Sequence, residues 1–246
     1  MKVTILNETT KHPISKMGEY AGICWGADTS DPAKNYKRGL SCLKSNHGRV
    51  LEYVDIEMCI EDVSARVIRE WYTHLGGAPT RLQESTRYVD CTNFDYVIPG
   101  SVRGSEDTLR VYNTAMEIIQ DSVAELENRG IKREDAAMIL PLGMTTKIVD
   151  KRNLRNFIDM CHQRMCSRAY WEYRSLMNEI CGQLRQVSEE WAYLVDEYFV
   201  PKCEAYGWCP EEKCCGRKLT RKQLEDKYTK LEEENKALKS LIGGNN

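Results

Sequence analysis

Apolar and polar positions set up two different rhythms along this chain. Residues 1–6 alternate and read as a short strand, and polar and helical stretches follow to about Leu43. A second alternating run, Leu51 to Ile60, places Leu51, Val54, Ile56, Met58 and Ile60 as its apolar members and predicts another strand. Glu61-Asp62-Val63-Ser64 then opens a predicted helix through Tyr72, with Asp62 or Ser64 available as its N-cap. The run Leu75-Gly-Gly-Ala-Pro-Thr80 ends that helix, because glycine and proline both disfavour its continuation.

The later part is richer in helix. From Glu106 to Arg129 the apolar residues Leu109, Tyr112, Ala115, Met116, Ile119, Val123 and Leu126 recur every three or four positions, and Gly130 is placed to stop the helix. Thr145 to Val149 forms a short β-like run after Leu140-Pro141. Two long amphipathic patterns then run from Asn153 to about Val200, where Pro201 stops them. Strands and helices occur in both halves, so the expected class is mixed α/β, of the α+β kind.

A different pattern closes the chain. With Leu224, Leu231 and Leu238 at heptad position d, position a falls on Tyr228, Asn235 and Ile242. Lys227 and Glu234 then fall at g, facing Glu232 and Lys239 at e of a partner helix, which favours a parallel coiled coil. A solvated charged helix fits the same residues. The expected organisation is a main folded domain over 1–200, a Cys-rich connector over 201–217 and a coiled-coil tail over 218–246.

Charge and cysteine content narrow the function. The net charge is −2, so no global basic field attracts nucleic acid or a membrane surface, and an anionic ligand must be met by locally placed Arg and Lys. No stretch approaches the roughly 20 apolar residues needed to cross a bilayer, and MKVTILNETT reads as a strand rather than a signal peptide. Eleven mostly scattered cysteines suit reduced thiols, so a cytoplasmic setting is expected. Cys203, Cys209, Cys214 and Cys215 cluster, but without paired Cys-x-x-Cys spacing; a thiol-rich turn is the leading reading and structural zinc the alternative.

The densest polar segment is Tyr72 to Tyr88. Its broken backbone frees N–H groups that can cradle a phosphate, and Arg81 and Arg87 offer planar forks for phosphate oxygens. If Gln83, Ser85 and Arg87 lie in extended backbone, their side chains share one face. An ordinary polar turn with solvated arginines is the competing reading.

This segment resembles the signature of the flavin-dependent thymidylate synthases, which runs Arg-His-Arg, a short gap, Ser, Asn-Glu, then Ser-x-Arg-Tyr. Here Thr73-His74-Leu75 stands at the triplet, the gap is longer by about two residues, Thr80 stands for Ser, and Gln83-Glu84-Ser85-Thr86-Arg87-Tyr88 closes the motif. Three further stretches follow in the family's order. These are His47 to Glu52, Leu140-Pro141 with Thr145-Thr146, and Asn153 to Arg164 followed by Ala169 to Arg174, where the family reads Ala-Gln-x-Glu-Ile-Arg. The resemblance covers roughly residues 45–200.

The resemblance implies a central, mostly antiparallel sheet flanked by long helices, and the reductive methylation of dUMP. FAD would be the cofactor, with NADPH and methylenetetrahydrofolate as co-substrates, in a homotetramer whose sites lie between subunits. It assigns Gln83, Glu84, Ser85, Arg87 and Arg164 to dUMP, with Arg164 also stabilising charge on the pyrimidine. It assigns His74, Thr80, Asn153, Arg155, Asp159 and His47 to the neighbourhood of FAD. Ala137 stands where many members have a phosphate-binding Arg, and Arg81 is the expected replacement. No enzyme nucleophile is needed, and Cys161-His162, lacking a preceding proline, is not expected to supply one. Competing functions are another flavin-dependent one-carbon transfer to a pyrimidine nucleotide, and a non-catalytic nucleotide-binding or coiled-coil scaffold.

Overall fold

The computed structural model describes residues 1–243, with side chains through Lys239. In chain order it forms β1 (Lys2–Ile5), α1 (Pro13–Cys24), α2 (Pro32–Lys44), β2 (Asp55–Ser64), α3 (Ala65–Trp71), β3 (Thr80–Gln83), α4 (Gly100–Arg103) and α5 (Glu106–Asn128). There follow α6 (Arg133–Ala136), β4 (Thr145–Asn153), α7 (Leu154–Arg164), α8 (Trp171–Arg185), α9 (Glu189–Glu197), α10 (Lys202–Tyr206) and α11 (Arg221–Gly243). The strands make one four-stranded sheet in the order β1-β2-β4-β3, with every pairing antiparallel.

Alternation divides the sheet into two faces. Ile56, Met58 and Ile60 of β2 and Ile148 of β4 point into the main core, where Trp71, Phe157, Tyr173 and Trp191 meet them. The opposite face is ionic, with Lys147 bound to Glu61 at 2.7 Å and Lys151 to Glu57 at 2.8 Å. An antiparallel sheet tolerates one wet face because hairpin-like pairing needs no crossover helix there. A smaller cluster of Cys91, Phe94, Met116 and Met144 packs under α5.

Three boundaries differ from the sequence expectation. Gly48–Tyr53 winds into a 3-10 helix that buries Val50 and Leu51, so the strand begins only at Asp55. That strand then runs on to Ser64 through a bulge between Ile60 and Val63, with Asp62 at φ +58°. The helix expected from Glu61 therefore starts after Ser64, whose hydroxyl caps it by accepting from Val67 N at 3.2 Å. Further on, β4 continues four residues beyond Val149, because its inward positions include the buried charges Asp150 and Arg152 and so hide the apolar alternation.

The long pattern from Asn153 to Val200 is three helices, not two. A turn over residues 165–170 separates α7 from α8, and Ser188 caps α9 by accepting from Trp191 N at 3.3 Å. The tail is helical over Arg221–Gly243, and Tyr228, Leu231 and Leu238 on its proposed seam are exposed within one chain. Ile242, the last heptad position, lies outside the described side chains. No described helix is long and apolar enough to cross a membrane.

Candidate active site

Helix α3 and the last turn of α7 deliver the central pair. His74 sits in the turn that closes α3, its N–H donating to Trp71 O at 3.3 Å, and the residue is buried. Arg164 ends α7 and donates its Nε hydrogen to His74 Nε2 at 3.0 Å and an Nη1 hydrogen to Glu70 Oε2 at 3.0 Å. The Arg164 guanidinium lies over the Tyr173 ring, 4.7 Å from its centroid. Burial, followed by the charges of Arg164, Arg152 and Arg81, pulls the His74 imidazole down to about 4. A neutral ring with an unprotonated Nε2 is what the Arg164 contact requires.

Beneath this pair lies a chain of ring and ion contacts that sequence reasoning missed. Tyr173 stacks on Trp71 with centroids 5.7 Å apart, and Arg152 lies 4.3 Å over the Trp71 ring. Arg152 is fully buried and paired with Asp150 through bonds of 2.5 and 2.6 Å, while Asn156 and Met160 also receive its Nη1. Trp71 Nε1 donates to the same Asp150 carboxylate at 2.8 Å. A buried charge is tolerable when paired and hydrogen-bonded on all sides, as here. The available signal was a pair of charges at inward positions of an alternating strand.

The Gly-rich loop after His74 folds onto the start of α7. Asn153 caps α7 by accepting from Asn156 N at 2.9 Å, and Gly77, at φ +73°, passes so close that a Cβ would stand 2.1 Å from Asn153 Nδ2. His74 and Asn153, both assigned to the flavin by sequence, thus flank one loop. Arg155, half a turn on, bonds Glu52 at 2.7 Å, and Gly48 lies against its guanidinium. Thr80, His47 and Asp159 are exposed. His47 lines a separate cleft of about 290 Å³ with Tyr20, Trp25 and Tyr53.

The dUMP-assigned residues form a second group. The strand ends at Gln83, whose amide reaches Thr146 Oγ1 at 3.3 Å, and Glu84 follows it, exposed. Ser85 instead opens a turn, its carbonyl accepting from Tyr88 N and Val89 N at 3.0 Å each. Arg87 therefore does not share an extended face with Gln83. It pairs with Glu134 of α6 at 2.8 Å. Arg133 donates to Tyr88 O at 3.1 Å. Arg81, the expected substitute for the missing Arg at Ala137, donates to Tyr72 O and lies over the Tyr72 ring at 4.5 Å, so it is engaged away from this turn. Among the described residues, Arg87 and Arg164 share no partner within one chain.

The thiols fall outside both groups. Cys161 is fully buried against Cys181, and burial pushes its thiol well up, so it is a poor nucleophile. Among the described residues no three His, Cys, Asp or Glu side chains are placed to hold a metal ion, which leaves zinc at Cys203, Cys209, Cys214 and Cys215 without support.

Comparison with known proteins follows the same lines. A family model described as thymidylate synthase complementing protein (Thy1) matches residues 5–189. The flavin-dependent thymidylate synthase of Nitratidesulfovibrio vulgaris is 31% identical over 194 residues, covering 75% of this chain and 77% of that protein. The flavin-dependent thymidylate synthase of Clostridium tetani is 29% identical over 250 residues, covering 91% and 96%. In fold, the chain resembles the Helicobacter pylori flavin-dependent thymidylate synthase complexed with FAD and dUMP, with a TM-score of 0.64, 18% identity, and coverage of 80% and 99%. A UMP/dUMP methylase from Streptomyces cacaoi, bound with 5-Br dUMP, gives a TM-score of 0.64 at 17% identity, covering 81% and 96%. The chain belongs to the flavin-dependent thymidylate synthase family.

Proposed function

We propose that this protein converts dUMP to dTMP, with FAD as its cofactor, methylenetetrahydrofolate as the carbon donor and NADPH as the reductant. The observation that carries the reading is the Arg164–His74 contact, held on a buried aromatic base in a chain of this family. The donor set suits a flavin: a neutral imidazole at His74, the amide of Asn153 and the half-exposed guanidinium of Arg155 line one loop and the first turn of α7. When bound, the flavin supplies the hydride that reduces the transferred carbon to a methyl group.

The protein's own contribution is position and charge. The Arg164 guanidinium meets the negative charge that develops on the pyrimidine's carbonyl side. Glu70 and His74 fix two of its N–H groups, so the guanidinium is oriented before the substrate arrives. The arginine at Arg87 and the hydroxyl of Ser85 take the phosphate end. Cys161 plays no part.

The two arginine groups belong together only across subunits, in the homotetramer proposed here. Leu75, Leu82 and Tyr88 expose apolar surface beside the loop and the turn, the kind of surface a neighbouring subunit covers. A copy of this chain expressed in a thymidine auxotroph tests the function. Growth without thymidine supports it, and failure with abundant folded protein rejects it.

A further inference from the structure

We infer that Arg133 is the phosphate-binding arginine of this protein, in place of the one missing at Ala137; the inference rests on the dUMP reading above. Ala137 offers no donor, and it follows directly on α6. One turn earlier on that element stands Arg133, whose Nη1 donates to Tyr88 O at 3.1 Å. The adjacent Glu134 holds Arg87 at 2.8 Å, so α6 and the Ser85–Tyr88 turn are joined at two neighbouring points. Ala136 is fully buried behind them and fixes the helix against the domain.

The result is two guanidinium groups and the Ser85 hydroxyl converging on one turn. Two planar forks beside a hydroxyl are the chemistry that recognises a dianionic phosphate monoester. The surrounding acids are Glu134 on Arg87, Glu127 at 3.4 Å from Arg133, and Asp90, whose carboxyl is lowered first by its hydrogen bonds from Thr92 and only then by the Arg133 charge. Glu134 and Glu127 each engage a single guanidinium nitrogen, which leaves other N–H groups for a phosphate that displaces them. Arg81 is committed to the Tyr72 carbonyl and ring, and so is not available to this turn.

The test uses the FAD-loaded enzyme and compares dUMP with deoxyuridine, which lacks the phosphate. Arg133→Ala and Arg133→Gln are expected to weaken dUMP binding at least about tenfold. Deoxyuridine binding should not change. Adding Ala137→Arg to Arg133→Ala should recover most of the lost dUMP affinity. Wild-type affinity in both single variants overturns the inference. So does an equal loss with dUMP and deoxyuridine, or a double variant no better than the single one. If the wild-type enzyme binds dUMP but forms no methylated product, the catalytic reading fails while the binding comparison still decides the role of Arg133.

Discussion

Arg164 donates to Nε2 of His74, and that one bond ties the protonation of the histidine to the orientation of the arginine. The imidazole carries its proton on Nδ1 and stays neutral to about pH 4. Protonating Nε2 would set two positive groups against each other and release the guanidinium.

A stability profile follows from this. The folded-state value, about 4, lies below the ordinary 6.5, so the unfolded chain takes up a proton first as pH falls. The His74 contribution is therefore present above pH 6.5, drains away between 6.5 and 4, and changes no further below that. At about 1.4 kcal/mol per unit, it is on the order of 3 kcal/mol. Denaturant unfolding between pH 7 and 4 should show this slope in the wild type and a shallower one in His74→Phe. Equal slopes would remove His74 as the buried titrating group.

Tyr173 separates the value of a ring from that of its hydroxyl. The ring supports Arg164, but the hydroxyl is buried with no hydrogen-bond partner among the described residues. An unsatisfied buried hydroxyl costs about 1–3 kcal/mol, so Tyr173→Phe should unfold at equal or higher denaturant and keep its activity. Tyr173→Ile, which removes the ring but keeps an apolar side chain, should fold yet lose about tenfold or more in turnover through the freed Arg164. A Phe variant as impaired as the Ile variant would contradict the ring's role.

Two glycines with left-handed backbone give a graded comparison. Gly77 and Gly130 have φ of +73° and +83°, but only at Gly77 would a Cβ meet a neighbour, Asn153. Gly130→Ala should cost about 1 kcal/mol from backbone strain alone. Gly77→Ala adds a clash with the α7 cap, so it should cost about 2 kcal/mol or more and weaken FAD retention. Equal costs by equilibrium unfolding would mean the loop does not depend on that close approach.

The tail makes its own prediction. Its seam residues Tyr228, Leu231 and Leu238 are exposed in the single chain. Ending the protein after Arg217 should loosen subunit association on dilution, measured by sedimentation, and leave the unfolding midpoint of the domain unchanged at high concentration. Identical dissociation with and without the tail would make it a solvated helix.

Legibility in the sequence followed burial. The strands and helices with one apolar face, such as β1, α5 and α7, were readable because periodicity reports a half-buried surface. β4 was read short because its buried face includes Asp150 and Arg152, and the segment at Ser85 stayed open between extended backbone and a polar turn because its polar residues carry no periodic signal. Arg164 and His74 were found through the resemblance of their segments to the family's motifs, which implied their roles. Glu70, Tyr173 and Arg152, which hold them, lie on three different elements, and only the fold brings those together.

Mixing the reduced, FAD-loaded protein anaerobically with dUMP and methylenetetrahydrofolate, and then identifying the nucleotide formed, tests the central claim most directly. Flavin oxidation that requires dUMP, with dTMP as the product and both lost in Arg164→Ala, is the predicted result. Oxidation indifferent to dUMP, or a nucleotide recovered without a methyl group at its pyrimidine ring, would contradict the account.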